Sequence, residues 1–353
     1  MRLLVLCGGR SAEREVSCVS ASSVLKHLSR RHDPVLVRID PRGRWWHQKD
    51  LWAFAAHPKP FTLPFGKCPA RLELGGRPAL VVGTRRLPVD AAFPVLHGPM
   101  GEDGTVQGLF EMAGLPYVGS GVLGSAVGMD KVLTKRLAAL AGLPVLPYAV
   151  LETERDLPTA RRLPLPVFVK PARLGSSVGV YKVKKASELA LAVRRAFRFD
   201  TTVIVEQGVP AREIECAVLG GGARIEAAAA VGEIRPNAEF YSYEAKYLDP
   251  DGAKLIVPAE IPAALAARAR AAAVLAFRAL GCHGLARADF LLDRESGELW
   301  FNELNTMPGF TAISMYPRLW AASGLPFPRL IDRLVRLALE RHRIQSRLRI
   351  TRD

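Results

Sequence analysis

Residues 287–305 constrain the fold more than any other stretch of this chain. Two short apolar runs, at 290–292 and 299–301, flank a polar turn that contains a glycine. Apolar runs separated by turn residues are typical of a β-hairpin. We therefore predict two antiparallel strands joined by a tight turn at this point.

Acidic and amide side chains mark the open end of this predicted hairpin. Asp289 begins the first strand, whereas Glu303 and Asn305 end the second. Side chains two residues apart share a face of a strand, so Asp289 falls opposite the other two if the strands pair around the turn. Converging carboxylates are costly without a cation, and oxygen ligands suit Mg²⁺ or Mn²⁺. The pattern predicts a metal site, with solvated strand ends as the alternative.

Two neighbouring features connect this site with phosphoryl chemistry. Arg287 precedes Asp289 by two residues and shares its face, and a Pro-Gly turn that can present backbone amides follows Asn305. A cation, an arginine and free amides together suit a phosphorylated intermediate.

Length and composition indicate an ordinary globular protein. A chain of 353 residues with 49% hydrophobic residues can form two or three domains with a sizeable core. The apolar run near the N-terminus is too short for a signal peptide or a membrane span, so we expect a cytoplasmic protein that does not associate with membranes. The five cysteines are scattered without metal-site spacing and are expected to be buried small hydrophobes.

The formal net charge of +15 makes nucleic acid the competing partner. The arginines are spread over surface-like segments, such as 161–162, 194–195 and the tail 341–352, without interleaved aromatic residues. We therefore expect a basic solvated surface and no nucleic-acid partner. A basic nucleic-acid-binding protein is the alternative from another class.

The N-terminal third has the pattern of a βαβ unit. A strand at 3–7, a glycine turn, a helix at 16–28 and a strand at 34–39 follow one another. Glu13 lies beside the start of the helix, where it could hold a substrate amine or simply complement the helix dipole. Residues 41–87 have the composition of a peripheral insertion. His97 follows a buried strand in a glycine-rich loop, where α/β folds bind ligands.

The central third carries two lysines and a glycine-serine turn. Lys131 opens a predicted helix, and Lys170 ends a strand that precedes the turn at 174–179. The amides and hydroxyls of such a turn can cover phosphates as a flap, with a plain hairpin turn as the alternative. Glu206 ends the next buried strand at a linker suited to an adenine edge, and Glu213 is a candidate for ribose hydroxyls. A tyrosine-rich loop with a central lysine occupies 241–247.

Seven motifs follow one another along the chain. They lie at residues 8–17, 97–104, 129–131, 169–179, 212–215, 243–247 and 302–311. In this order they resemble the D-alanine–D-alanine ligase family of the ATP-grasp superfamily, and the match covers nearly the whole chain. The resemblance implies an α/β fold, α+β in the nucleotide domains, with an N-terminal Rossmann-like parallel-sheet domain. It implies a substrate domain at 1–124, a central subdomain with the flap at 125–213 and a C-terminal subdomain with the metal site at 214–353.

The resemblance also implies ligands for two Mg²⁺ or Mn²⁺ and for ATP. Asp289, Glu303 and Asn305 would bind the metals, with Glu303 bridging. Lys131, Lys170 and Lys246 would hold the phosphates of ATP. Glu206 would bind the adenine amino group, and Glu213 would bind the ribose. The full set implied for ATP is Lys131, Lys170, Ser176, Ser177, Glu206, Gln207, Val209, Glu213 and Lys246.

The remaining implied residues serve the amino acids. Glu13 would take the ammonium group of the first D-alanine, and Ser176 and Tyr247 would link the flap and the tyrosine loop to it as a lid. Arg287 and the Gly309 amide would stabilise an oxyanion. The set implied for substrate is Glu13, Val16, His97, Arg287, Gly309, Ser314 and Met315.

The activity implied is ATP-dependent ligation of two D-alanines through an acyl phosphate, for peptidoglycan precursors, by a homodimer. The nearest alternative is a D-alanine–D-lactate or D-alanine–D-serine ligase of the same fold. Tyr247 argues against the lactate version, because the tyrosine-bearing loop differs in that subfamily.

Overall fold

The computed structural model describes residues 1–237, 252–311, 313–349 and 352. The tyrosine-rich loop, with Lys246 and Tyr247, lies outside the described residues. Within them, the chain builds three sheets in sequence order, joined by helices that cover their faces.

The first sheet contains seven strands of the described chain, in the order β6-β5-β4-β3-β2-β1-β7. These strands are β1 (Arg2–Gly8), β2 (Asp33–Ile39), β3 (Trp45–Gln48), β4 (Cys68–Leu72), β5 (Ala79–Val82), β6 (Arg85–Pro88) and β7 (Ala91–Pro94). β1 pairs in parallel with β2 and β7, and the helix α1 (Arg14–His27) connects β1 to β2. The predicted βαβ unit is therefore confirmed, although its helix begins two residues earlier than expected.

Residues 41–87, expected to be a peripheral insertion, form the outer part of the first sheet. They supply β3 to β6, which pair antiparallel with one another and extend the sheet outward from β2. The short helix α2 (Leu51–Ala56) buries Phe54 against the same core as α1. The loop that contains Leu63 and Pro64 binds the buried side chain of Arg38. The Arg38 guanidinium donates to the carbonyl oxygens of these two residues at 2.9 Å each, so this proline-containing loop supplies acceptors to a buried cation.

Helices α3 to α5 lead from the first sheet to the second. They are α3 (Thr105–Met112), α4 (Val122–Met129) and α5 (Lys131–Leu140). Asp130 caps α5 by accepting from the backbone amides of Val132 and Leu133. This cap fixes Lys131 as the first residue of the helix, as the sequence predicts.

The second sheet has the order β10-β9-β11-β8 and is antiparallel throughout. Its strands are β8 (Tyr148–Leu151), β9 (Val167–Pro171), β10 (Tyr181–Val183) and β11 (Val203–Gln207). The short helix α6 (Leu157–Ala160) follows β8, and α7 (Ala186–Ala196) lies over the sheet. On α7 the buried positions recur every three or four residues, at Leu189, Ala192, Val193 and Ala196, so one apolar stripe packs on the strands.

The third sheet contains six strands in the described residues, with β15-β14-β12-β16-β17 in order and β13 beside β12. They are β12 (Ala211–Gly221), β13 (Arg224–Ala227), β14 (Gly232–Pro236), β15 (Ala253–Ile256), β16 (Gly284–Asp293) and β17 (Leu299–Asn305). β16 and β17 form the predicted hairpin, in which Asp289 pairs with Glu303 and Arg287 with Asn305. Helix α8 (Ala263–Ala279) covers this sheet. The domain division predicted at residues 124 and 213 stays a prediction, and β12 runs across the second position.

The first and third sheets share a core that the last two helices complete. Helices α9 (Met315–Ala322) and α10 (Phe327–Gln345) bury Leu319 and Leu330 in one cluster with Leu3 and Phe93 of the first sheet. The rings of Phe93 and Phe310 meet edge to face at 5.6 Å between centroids.

Arg341 on α10 corrects the prediction that the arginine-rich tail is solvated from its start. Its side chain is buried, and it donates to the Gly119 carbonyl oxygen at 2.5 Å and to the Tyr117 carbonyl oxygen at 3.2 Å. Its guanidinium lies 4.1 Å from the centre of the Tyr117 ring. The arginine therefore ties the last helix to the segment after the first sheet.

Two further expectations concern cysteines and membranes. Cys7, Cys18, Cys216 and Cys282 are buried as predicted, whereas Cys68 is only partly buried, and all five are free thiols. Among the helices of the described residues, none combines the length and apolar character needed to cross a bilayer.

Candidate active site

The open end of the β16–β17 hairpin gathers the predicted metal ligands. Asn305 Nδ2 donates to Asp289 Oδ2 at 2.9 Å, and Glu303 is the register partner of Asp289. Arg287 binds Asp289 in a bidentate manner, with nitrogen–oxygen distances of 2.7 and 2.6 Å. A register shift between Asp289 and Phe290 separates this polar end from the apolar body of the hairpin.

Arg287 remains a cation in this buried position. Burial lowers its pKa, but attraction to Asp289 and Glu215 outweighs that effect and raises the pKa above its usual value. Glu215 on β12 lies 3.2 Å from the Arg287 Nε. The arginine is thus held between two carboxylates and fixed in orientation.

Lys131 connects the hairpin with the flap, which comprises residues 174–179 between β9 and β10. Its ammonium donates to the Leu174 carbonyl oxygen at 2.6 Å and lies 3.5 Å from Glu303 Oε2. A single cation at the start of α5 therefore touches both the glycine-serine turn and the acidic hairpin.

The flap also reaches the first sheet. Ser176 Oγ donates to Glu13 Oε1, and both Ser176 and Ser177 have left-handed backbone conformations, with φ of 52° and 58°. Such angles are uncommon for residues with a side chain and often mark functional turns. The contact brings the predicted flap onto the predicted amine-binding carboxylate.

Glu13 occupies a closely packed position at the start of α1. It is 7% exposed and, although it is the N-cap residue, its side chain makes no capping hydrogen bond. A Cβ added at Gly98 would lie 2.6 Å from Glu13 Oε2, and one added at Gly175 would lie 3.2 Å away. Two glycines therefore leave the space that the carboxylate occupies, and the carboxylate faces the flap instead of the helix amides.

The loop from His97 to Gly104 holds the peptide of Met307 on both sides. His97 Nδ1 lies 3.1 Å from the Met307 carbonyl oxygen, and Glu102 Oε1 accepts from the Met307 amide at 3.2 Å. Glu102 Oε2 accepts from the Gly98 amide at 2.6 Å. The turn after β17, which leads to Gly309, is thereby fixed to the loop after β7.

Burial shifts the pKa of both side chains in this clamp. It lowers the pKa of His97 to about 4, so the ring is neutral at pH 7 and can donate to the Met307 carbonyl oxygen. It raises the pKa of Glu102 to about 8, with repulsion from Glu13 as the next cause. The sequence predicted His97 beside the substrate but gave no role to Glu102. The one feature that could have pointed to Glu102 is its position between two glycines of the same motif.

A buried trio of charges lies at the other end of the site. Glu206 on β11 forms ion pairs with Lys170 on β9, at 2.6 Å, and with Lys135 on α5. Burial raises the pKa of Glu206, but the two lysines lower it by more, so the carboxylate stays ionised. Lys135 is a residue that sequence reasoning missed, because a lysine inside a helix carries no signal of burial.

The other candidates lie around these groups. Gln207 ends β11, Val209 is in the link to β12, and Glu213 is half-buried on β12. The half-buried Val16 is the third residue of α1.

Gly309 and Ser314 lie shortly before α9, with Ser314 as its N-cap residue. Ser314 Oγ accepts from the Thr311 amide at 3.0 Å, and a Cβ added at Gly309 would lie 2.8 Å from that oxygen. Met315 is the buried first residue of α9. Glycine at 309 therefore leaves its backbone accessible beside Ser314.

The donor set at the hairpin fits a hard divalent cation. In the part of the chain that the structure describes, no three His, Cys, Asp or Glu side chains gather as a metal site, and the set here is two carboxylates and one amide. Its oxygens suit Mg²⁺ or Mn²⁺, which complete their shells with water and phosphate. The contacts of Arg287 and Lys131 with the two carboxylates indicate that this end attracts positive charge.

The three sheets, the flap and the acidic hairpin define the chain as an enzyme of the ATP-grasp fold. Two family models match it: that described as D-ala D-ala ligase N-terminus matches residues 2–120, and that described as D-ala D-ala ligase C-terminus matches residues 137–336. The chain belongs to the D-alanine–D-alanine ligase family.

Similar proteins span nearly the same length. D-alanine–D-alanine ligase A of Bradyrhizobium diazoefficiens is 50% identical, with 99% of this chain and 97% of that protein covered. D-alanine–D-alanine ligase A of Escherichia coli K12 is 44% identical, with 99% of each covered.

Solved structures agree in fold. The D-alanine-D-alanine ligase from Coxiella burnetii has a TM-score of 0.85 at 36% identity, covering 98% of this chain and 96% of that one. VanG D-Ala:D-Ser ligase from Enterococcus faecalis has a TM-score of 0.84 at 37% identity, covering 96% and 99%.

Proposed function

We propose that this enzyme joins two D-alanine molecules in an ATP-dependent reaction, yielding D-alanyl-D-alanine for peptidoglycan precursors. The observation that carries the proposal is the position of Lys131, which contacts both the Leu174 carbonyl oxygen of the flap and Glu303 of the hairpin. Nucleotide phosphates under the flap and divalent cations at the hairpin would meet at this lysine. Membership of the family supplies the choice of substrates.

We assign the groups that bind ATP and metal as the family resemblance implies. Asp289, Glu303 and Asn305 would hold two Mg²⁺ or Mn²⁺, which when bound neutralise charge on phosphate oxygens. The side chains and backbone that we assign to ATP are Lys131, Lys170, Ser176, Ser177, Glu206, Gln207, Val209, Glu213 and Lys246.

In the first step, a carboxylate oxygen of one D-alanine attacks the γ-phosphorus of ATP. The bond from that phosphorus to the bridging oxygen of ADP breaks, giving an acyl phosphate and ADP. Glu13 would hold the ammonium group of this D-alanine, with Val16 and His97 on the same side. Ser176 closes the flap over Glu13, which excludes water that would hydrolyse the acyl phosphate.

In the second step, the free amine of the other D-alanine attacks the acyl carbon, and the proton that its nitrogen loses passes to the departing phosphate. The carbon–oxygen bond to phosphate then breaks. Negative charge develops on the carbonyl oxygen, and we assign its stabilisation to Arg287 and the Gly309 amide. Ser314 and Met315 would receive the carboxylate of this second amino acid.

The choice of acceptor separates this function from its nearest alternatives. Tyr247 is neutral, so it adds no positive charge that would repel the ammonium group of an amino acid; a lysine there would. We expect kcat/KM to favour D-alanine over D-lactate by at least about 100-fold at neutral pH, equivalent to roughly 2.7 kcal/mol. Similarity to a D-Ala:D-Ser ligase makes D-serine the stricter competitor.

The test is a phosphate-release assay with ATP, Mg²⁺ and a panel of D- and L-amino acids, with D-serine and D-lactate as competing acceptors. Mass spectrometry of the product identifies which acceptor was used. Phosphate release that depends on D-alanine, with dipeptide as the main product, supports the proposal. A main product containing serine or lactate would overturn the choice of acceptor, and no amino-acid-dependent release would overturn the reaction.

We also propose that the enzyme acts as a cytoplasmic homodimer without nucleic-acid or membrane partners. Sedimentation analysis tests the dimer. A salt-dependent mobility shift with oligonucleotides that ATP does not affect would instead support the nucleic-acid alternative.

A further inference from the structure

Lys135 is a buried cation to which the proposed reaction gives no task. It lies one helical turn after Lys131 on α5, and its side chain is 2% exposed. Lysine is rarely buried to this extent unless it is paired. Its partner is Glu206, which is equally buried on β11. The helix therefore presents two lysines to the nucleotide site at different depths.

The charges in this cluster do not balance. Lys135 contacts Glu206 Oε1, while Lys170 lies 2.6 Å from Glu206 Oε2, so each oxygen of one carboxylate faces one ammonium group. Two cations against one anion leave a net positive charge. The side chain of Lys170 is 15% exposed, against 2% for Lys135, so that charge is presented to the cleft by Lys170.

The pKa directions of the two lysines agree with this distribution. Burial lowers the pKa of Lys135, and attraction to Glu206 opposes the effect. For Lys170 burial acts in the same direction, but Glu206, followed by Glu303 and Glu213, raises its pKa overall. Lys170 is therefore the more firmly charged of the two.

We propose that Lys135 is a positioning residue that takes up part of the charge of Glu206, so that Lys170 keeps a net positive charge for the nucleotide phosphates. If Lys135 were absent, Glu206 and Lys170 would form a neutral pair, and the cleft would lose one unit of the positive charge that attracts a polyanion. This inference rests on the proposed use of ATP, and it assigns Lys135 an effect on ATP binding that acts through Glu206 and Lys170.

The test measures nucleotide affinity by titration calorimetry, using ATP and adenosine with the full chain. Lys135→Met keeps the unbranched stem of the side chain and removes the charged terminal nitrogen. Affinity for ATP should fall about tenfold, equivalent to roughly 1.4 kcal/mol, while affinity for adenosine stays within about twofold. Arg136→Met is the matched control, because it removes the same charge from the adjacent, exposed position. It should leave both affinities unchanged.

A double variant makes the test independent of simple damage. In Lys135→Met/Glu206→Gln both the carboxylate and its deep cation are replaced by neutral groups, so the cluster regains the net positive charge of Lys170 and the ratio of ATP to adenosine affinity should return to the wild-type value. Lys135→Arg should retain the ratio of ATP to adenosine affinity, since it retains the charge.

The outcomes separate the inference from the function on which it rests. Wild-type enzyme that binds no ATP contradicts the proposed function. Wild-type binding with an equal loss of ATP and adenosine affinity in Lys135→Met, or with no loss at all, overturns the role of Lys135. The same follows if Arg136→Met has an equal effect, or if the double variant fails to restore the ratio.

Discussion

Replacing Gly98 by alanine should displace Glu13. Gly98 has a φ of +73°, and a Cβ at this position would lie 2.6 Å from both Glu13 Oε2 and Ser11 Oγ. Such distances are too short for nonbonded contact, so the Glu13 carboxylate must move. Because Ser176 of the flap also contacts Glu13, the displacement should reach the lid as well as the amine site.

The magnitude has two separable parts. The left-handed backbone costs a residue with a Cβ about 1–2 kcal/mol, which should appear as lost stability. Weakening one charged hydrogen bond to the substrate ammonium costs about 1.5–3 kcal/mol. At roughly 1.4 kcal/mol per factor of ten, kcat/KM for the first D-alanine should fall by about 10- to 100-fold.

The matched control is Gly114→Ala. Gly114 has a φ of +61°, but a Cβ there would have no neighbour within 4 Å. It should lose similar stability and keep its activity. Urea unfolding measures the first quantity, and steady-state phosphate release at varied D-alanine measures the second. If the two variants have the same kcat/KM while both remain folded, the steric argument about Glu13 is wrong.

Three further predictions concern the hairpin, the flap and the last helix. Glu303→Gln should reduce turnover by more than about 100-fold with little change in thermal unfolding, because the amide keeps the shape and loses the charge that holds a divalent cation. Turnover within about twofold of wild type would refute the metal assignment. Hydrogen exchange at residues 174–179 should slow when a non-hydrolysable ATP analogue binds, since the flap gains phosphate partners, and unchanged exchange would contradict this. Arg341→Met should lower the free energy of unfolding by about 3 kcal/mol, because two charged hydrogen bonds are lost. Arg343→Met, at an exposed position, is the control, and an equal loss of stability in the two variants would refute the prediction.

The hairpin was predictable because its information is local. The side-chain period of two and the intervening turn determine which residues face each other, and the structure pairs Asp289 with Glu303 as expected. The same holds for the βαβ unit, where short buried strands flank one amphipathic segment. Family motifs then added roles, such as the contact of Ser176 with Glu13, that no local pattern contains.

The residues whose positions were not predicted depend on contacts between segments that are distant in the sequence. Lys135, Glu102 and Arg341 have ordinary surface-type residue identities, and only tertiary packing buries Lys135 and Arg341 and half-buries Glu102. The strands within residues 41–87 were not predicted, because proline, tryptophan and arginine obscure the alternation of short edge strands. There β4 alternates between half-buried and exposed residues, which weakens any periodic signal.

The core shared by the first sheet and α10 has a consequence for synthesis on the ribosome. Phe93 and Leu3 are made early, whereas their partner Leu330 is made only after more than two-thirds of the chain has been translated. At roughly 5–20 residues per second, the interval from Phe93 to Leu330 is on the order of 10 to 50 s. During that time the nascent first sheet lacks the part of its apolar cover that the last helices supply, so a holding chaperone should bind the emerging chain there.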